Sequence, residues 1–104
     1  MSQANLTKFQ IDAEKDIAGI AERAGLTIDQ REVLSGKIPF YSEEPQTAIH
    51  LAISNGLEIW LFGDEANVSQ SGNESRFEKP DFDSVSELQA ALLSDIRSRT
   101  AAAQ

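Results

Sequence analysis

Leu6, Phe9, Ala13, Ile17, Ile20, Ala21 and Ala24 recur at three- and four-residue spacing, the period of a helix with one apolar face. Lys8, Asp12, Glu14, Lys15, Asp16, Glu22 and Arg23 fall between them on the wet face, with Lys8 and Asp12 one turn apart and within pairing reach. Gly25-Leu26 predicts the stop. The glycine takes the left-handed position after the last turn, and the leucine folds back on Ala21 in a Schellman cap.

Thr27 and Gln30 have the spacing of a capping box, which predicts a short helix from Ile28 to Ser35 ending on Gly36; Ile28, Val33 and Leu34 keep no clean period, so the same stretch also tolerates an extended reading. Residues 36–46, with Pro39 and Pro45, read as a loop anchored by Ile38, Phe40 and Tyr41.

The strongest local pattern is TAIHLAISNGLEIWLF over residues 47–62. Asn55-Gly56 between two apolar runs predicts a hairpin with a type I′ turn, in which both central residues take positive φ. Pairing Ser54 with Leu57 sets Leu51 opposite Trp60, His50 opposite Leu61 and Ile49 opposite Phe62. The rival reading makes 43–54 a helix capped by Ser42. Gly63-Asp64 predicts a second two-residue turn, type II′, with Ala66 against Leu61 and Val68 against Ile59. After Ser71-Gly72-Asn73 a fourth strand runs from Glu74 to Lys79, with Phe77 set beside Val68 on the apolar face. Ser84 and Glu87 form a capping box for a last helix with Val85, Leu88, Ala91, Leu92 and Ile96 inward, and TAAAQ is a frayed tail.

The expected fold is thus α+β in one domain over residues 1–104: an N-terminal helix, a four-stranded antiparallel meander and a C-terminal helix. A chain of 104 residues leaves no room for a second core. In the predicted register Leu57, Ile59, Leu61, Ala66 and Val68 line one sheet face, while Ile49, Leu51, Ile53, Trp60 and Phe62 line the other. Two apolar faces need two covers. Either each helix takes one face, or both share one and the aromatic patch stays open; burial of both is the commoner arrangement.

Composition narrows the chemistry. With no cysteine, disulfides, thiolate metal sites and thiol nucleophiles are excluded. Seventeen acids against nine bases give a net charge of −8, which argues against phosphate backbones and anionic membranes as partners. The N-terminal stretch is polar and acidic, unlike a signal peptide, and no apolar run spans a bilayer, so the expected location is the cytoplasm.

His50 is the only histidine. Flanked by Ala48 and Ala52 on its strand face, it reads as a half-buried structural residue, and no motif holds a serine, lysine or carboxylate beside it. G-x-S-x-G and G-x-G are both absent. No cofactor and no catalytic residue are expected. Asp64, Glu65 and Asn67 in one turn, and Asp81 and Asp83 in another, are hard oxygen donors, yet they lack the full calcium-loop pattern, so no metal site is assigned.

Charge is the remaining signal. Residues 58–87 carry eight acids and two bases. The reading that follows is a non-enzymatic protein-binding domain whose acidic sheet surface (Glu58, Asp64, Glu65, Glu74 and Glu78, with Trp60 as central anchor) docks a basic protein partner. Size and charge match, by analogy alone, immunity proteins that cover the active site of a basic toxin. The alternative is a structural or accessory domain that self-associates through its sheet as a homodimer.

Overall fold

A computed structural model of the protein describes residues 6–38 and 42–101, and the side chains of 6–35 and 47–101. The elements run α1 (Lys8–Arg23), β1 (Ile28–Ile38), β2 (Ser42–Ile53), β3 (Leu57–Leu61), β4 (Ala66–Gln70), β5 (Asn73–Phe77), a short 3-10 turn (Lys79–Asp81) and α2 (Val85–Ala101). The fold is α+β, as the periodicity predicts, with one strand more: an antiparallel meander of five strands in the order β1-β2-β3-β4-β5.

Thr7 caps α1. Its hydroxyl accepts the Gln10 N–H (3.1 Å), and the Gln10 side-chain oxygen accepts the Thr7 N–H (2.8 Å). Gly25 has φ +77° and the Leu26 N–H donates to the Ala21 carbonyl at 2.9 Å, the Schellman stop expected from the sequence.

The extra strand comes from residues 28–38, so the short-helix reading of 28–35 is overturned in favour of the extended one. Thr27 does not cap. Its backbone N–H donates to Ser54 Oγ and its carbonyl accepts the Ser54 N–H, which ties the start of β1 to the end of β2. Once paired, the stretch satisfies the backbone groups that face β2 in the ladder, and tertiary pairing outweighs a local capping signal. Residues 43–54 lie in strand β2, which rules out the rival helix; Phe40, Tyr41 and the side chain of Ile38 fall outside the described residues.

The hairpin between β2 and β3 forms at Asn55-Gly56, one residue out of the expected register. Ile49 faces Leu61, His50 faces Trp60 and Leu51 faces Ile59. The Gly56 N–H donates to the Ile53 carbonyl at 2.9 Å, and Gly56 has positive φ (+89°) while Asn55 does not. This is a three-residue loop, a type I turn closed by a left-handed glycine, rather than a type I′ turn. A one-residue slip changes the face of every side chain, so Ile49, Leu51 and Ile53 join Leu57, Ile59 and Leu61 on the core face instead of lying with Trp60 and Phe62.

The next turn keeps the expected register, Leu61 against Ala66 and Val68 against Ile59, although Gly63 is not among the residues with positive φ and the turn is not type II′. The last turn is tighter than expected. Ser71 (φ 52°) and Gly72 (φ 85°) both take positive φ, a two-residue type I′ turn that sets Phe77 against Ala66 rather than Val68. The two-residue shift preserves the face, and Phe77 is buried as expected.

Both helices pack on one sheet face. A single cluster joins Phe9, Ile17 and Ile20 of α1, Leu88, Leu92 and Ile96 of α2, and the inward residues of β2, β3, β4 and β5. Val85, expected inside, is exposed. Thr100 is buried and Ala101 is still helical, so neither is part of a frayed tail as the sequence reading expects; 102–104 lie outside the described residues. Gln10, like Thr100, carries no apolar signal, yet it is fully buried and donates through Nε2 to the carbonyls of Thr47 (2.8 Å) and Leu61 (3.0 Å). Its capping box thereby pins the start of α1 to β2 and β3. Among the described residues, no helix is long and apolar enough to cross a membrane.

Candidate functional site

The face turned away from the helices carries a row of side chains, one from each strand. Glu32, His50, Trp60, Asn67 and Arg76 are successive partners across β1 to β5, and directly opposed residues project from the same side of a sheet. The adjoining row is Gln30, Ala52, Glu58, Ser69 and Glu74. The even positions of β3 thus reach this face because the odd ones are committed to the core.

The aromatic residues stack. The His50 ring lies 4.2 Å from the indole of Trp60 with 24° between planes, and Phe62 continues at 6.4 Å and 10°. Phe62 is buried with Ala48 in a small cluster separate from the main core, and half-buried Trp60 packs against it.

His50 is half-buried, as its strand neighbours predict, and although no sequence motif sets a carboxylate beside it, the fold brings two there. Glu58 Oε1 lies 3.2 Å from Nε2 and Glu32 Oε1 3.7 Å from Nδ1. One acid comes from each neighbouring strand, so no motif in sequence links them to the histidine. A neutral imidazole donates to one glutamate; only the charged ring has a proton for each. The two nitrogens point in opposite directions, so the three side chains do not converge on one ion, and among the described residues no group of three or more His, Asp or Glu is placed to hold a metal.

The residues expected to form the docking surface divide. Glu58, Trp60 and Glu74 meet on the open face, where Glu74 accepts from Asn67 Nδ2 (2.8 Å) and lies 3.5 Å from Arg76. Asp64 and Glu65 are bound locally instead. Asp64 pairs with the Lys79 ammonium at 2.8 Å, and Glu65 accepts the Lys79 backbone N–H at 2.7 Å, fastening the β3–β4 turn to the segment after β5. The hydrogen bond and charge of Asp64 hold the Lys79 ammonium above its ordinary pKa of 10.5. Glu78 is exposed next to Lys79. Glu32 is the acid that sequence reasoning misses on this face, since it belongs to the strand read as a helix.

A shallow hollow of about 210 Å³ lies between the helix C-termini, lined by Ile20, Arg23, Ala24, Arg97, Thr100 and Ala101. Its arginines sit where the helix dipoles already favour cations, which accounts for them without a ligand. Comparison of the chain with protein-family models, with curated proteins and with solved structures finds no match in any of the three.

Proposed function

We propose that the protein is a non-catalytic binding module whose helix-free sheet face docks a basic protein surface. The observation that carries this reading is the placement of Trp60, stacked between His50 and Phe62, in a field of the exposed glutamates Glu32, Glu58 and Glu74. An aromatic anchor ringed by charges on rigid strands is the arrangement of an interface centre with a polar rim. A net charge of −8 adds long-range attraction for a cationic partner. A basic toxin whose active site is covered is one partner of that chemistry.

The test uses Trp60, the only tryptophan, as its own reporter. A lysine- and arginine-rich peptide is titrated into labelled protein, with an acidic peptide of equal length as control. Tryptophan emission and amide shifts are then followed from roughly 0.1 to 0.5 M salt, a range over which exposed charges become screened. Shifts centred on Glu32, His50, Glu58, Trp60 and Glu74, weakened by salt and by E58K with E74K, support the reading. Shifts spread over Asp81, Asp83 and Glu87, or none at all, overturn it.

A further inference from the structure

We infer that strand β1 is a self-association edge, and that two copies of the chain pair β1 with β1, antiparallel about a two-fold axis at Val33, to form one ten-stranded sheet.

The two sheet edges are treated differently. β5 is short, and Arg99 from α2 lies against it, donating to the Asn73 carbonyl (3.0 Å) and to Ser75 Oγ (2.9 Å). A short edge with a cation laid on it is a protected edge. β1 is eleven residues long and, among the described residues, no strand pairs with its outward side. Its outward backbone groups form a template for another strand.

The exposed apolar side chains gather there. Among the described residues four large hydrophobic residues are exposed, and two of them, Val33 and Leu34, are in the middle of β1. A third, Ile11, stands three residues before Glu14 on α1, and Glu14 holds Arg31 of β1 in an ion pair. Residues three apart share a helix side, so Ile11 lies on the flank of α1 that looks toward β1.

Charge selects a second copy as the occupant. The chain carries −8, so two copies repel over most of their surface, but residues 28–38 hold two acids and two bases and are neutral. A basic partner is drawn to the glutamate-rich face; the neutral edge is where a like-charged copy can approach.

The register follows from the sequence of the strand. The ladder of β1 is irregular between Ile28 and Gln30 and between Lys37 and Ile38, so a two-fold at Val33 pairs the regular stretch from Gln30 to Gly36. It sets Arg31 opposite Ser35, Glu32 opposite Leu34 and Gln30 opposite Gly36. A two-fold at Arg31 or at Glu32 would place like charges face to face, and one at Leu34 would set Arg31 against Lys37. Pairing at Val33 also keeps the two helical layers on one side of the sheet.

The experiment measures mass in solution against protein concentration and salt. The expected result is a rise from 11.4 kDa to twice that value, favoured by added salt because screening relieves the mutual repulsion. Partner docking on the glutamate face has the opposite salt dependence, so the two events are separable. Val33→Lys places two ammonium groups across the axis and should weaken dimerisation at least tenfold. Since the chain has no cysteine, Val33→Cys supplies one thiol per copy. A short thiol cross-linker should join those copies, whereas Val85→Cys, exposed on α2, should stay uncoupled. A monomer at every concentration and salt overturns the inference. So does a dimer that ignores Val33→Lys or cross-links as readily through Val85→Cys as through Val33→Cys.

Discussion

His50 and Trp60 are direct partners across β2 and β3, and their rings stack at 4.2 Å on the sheet face opposite both helices. The contact joins the only histidine to the only tryptophan, so the optical signal of the protein reports on the candidate interface itself. An aromatic pair of this kind contributes about 0.5–1.5 kcal/mol beyond its buried area. His50→Gln should therefore keep the fold, lower stability by no more than about 1.5 kcal/mol, and change Trp60 emission. Chemical denaturation followed by both circular dichroism and fluorescence checks this. An unchanged emission spectrum would show that the rings do not stack in solution.

The turns make a second, sharper pair of expectations. Gly56 and Gly72 both have positive φ, so Gly56→Val and Gly72→Val should each cost more than about 1 kcal/mol. Ser71 also has positive φ (52°), at the first central position of a type I′ turn that favours asparagine. Ser71→Asn should raise stability by a few tenths of a kcal/mol, read from urea midpoints. A fall would mean that the turn is of another type.

Gln10 is fully buried, and its side chain serves the backbone at Thr7, Thr47 and Leu61. Gln10→Leu keeps the volume but leaves the buried Leu61 carbonyl and the part-buried Thr47 carbonyl without that donor, at a cost of about 1–3 kcal/mol. The same urea measurement decides it. A cost near zero would place the α1–sheet attachment elsewhere.

How much of this was legible in the sequence depends on what each residue's signal was. Helix α1, its stop at Gly25-Leu26, the Asn55-Gly56 hairpin and the Leu61–Ala66 register follow from spacing and turn chemistry alone. The β2–β3 register does not, because Asn-Gly serves both two-residue and three-residue loops and the choice moves every β2 side chain to the other face. Strand β1 carries a genuine capping pattern at Thr27 and Gln30 that only its pairing with β2 overrules. The site suffers from the same two causes. The helix reading hides Glu32 and the slipped register hides the His50 contact with Glu58, whereas Glu58 and Glu74 are legible as part of an acidic sheet surface; Trp60 is legible as an anchor only where its face stays open, the less common arrangement. Gln10 carries a visible signal, the Thr7–Gln10 spacing of a capping box.

The Lys79–Asp64 pair gives a dependence on pH. Lys79 is held above its ordinary value of 10.5, first by the hydrogen bond to Asp64 and then by that charge. A raised pKa in the folded state adds stability that is complete below the unfolded value and is lost as pH rises through the folded one. The melting temperatures of the wild type and of Lys79→Met should therefore differ at pH 7 to 9 and converge above the lysine range. A difference that persists at high pH would show that the alkyl chain, not the charge, is what Lys79 contributes.

The register between β2 and β3 has the most direct test, because the two possibilities exchange the fates of neighbouring residues. With Ile49 against Leu61, Ile49 is fully buried in the core and Trp60 lies half-buried on the other face. Ile49→Ala then removes core volume from beneath the helices, at a cost of about 2–5 kcal/mol. Trp60→Ser, despite deleting a larger side chain, leaves that core untouched and should cost less than Ile49→Ala. In the slipped register Ile49 and Trp60 share a face, and their losses would be coupled. A double-mutant cycle separates the cases: on opposite faces with no shared partner the two costs should add to within about 0.5 kcal/mol. Coupling above about 1 kcal/mol would return Trp60 to the face of Ile49 and remove the aromatic centre from the proposed interface.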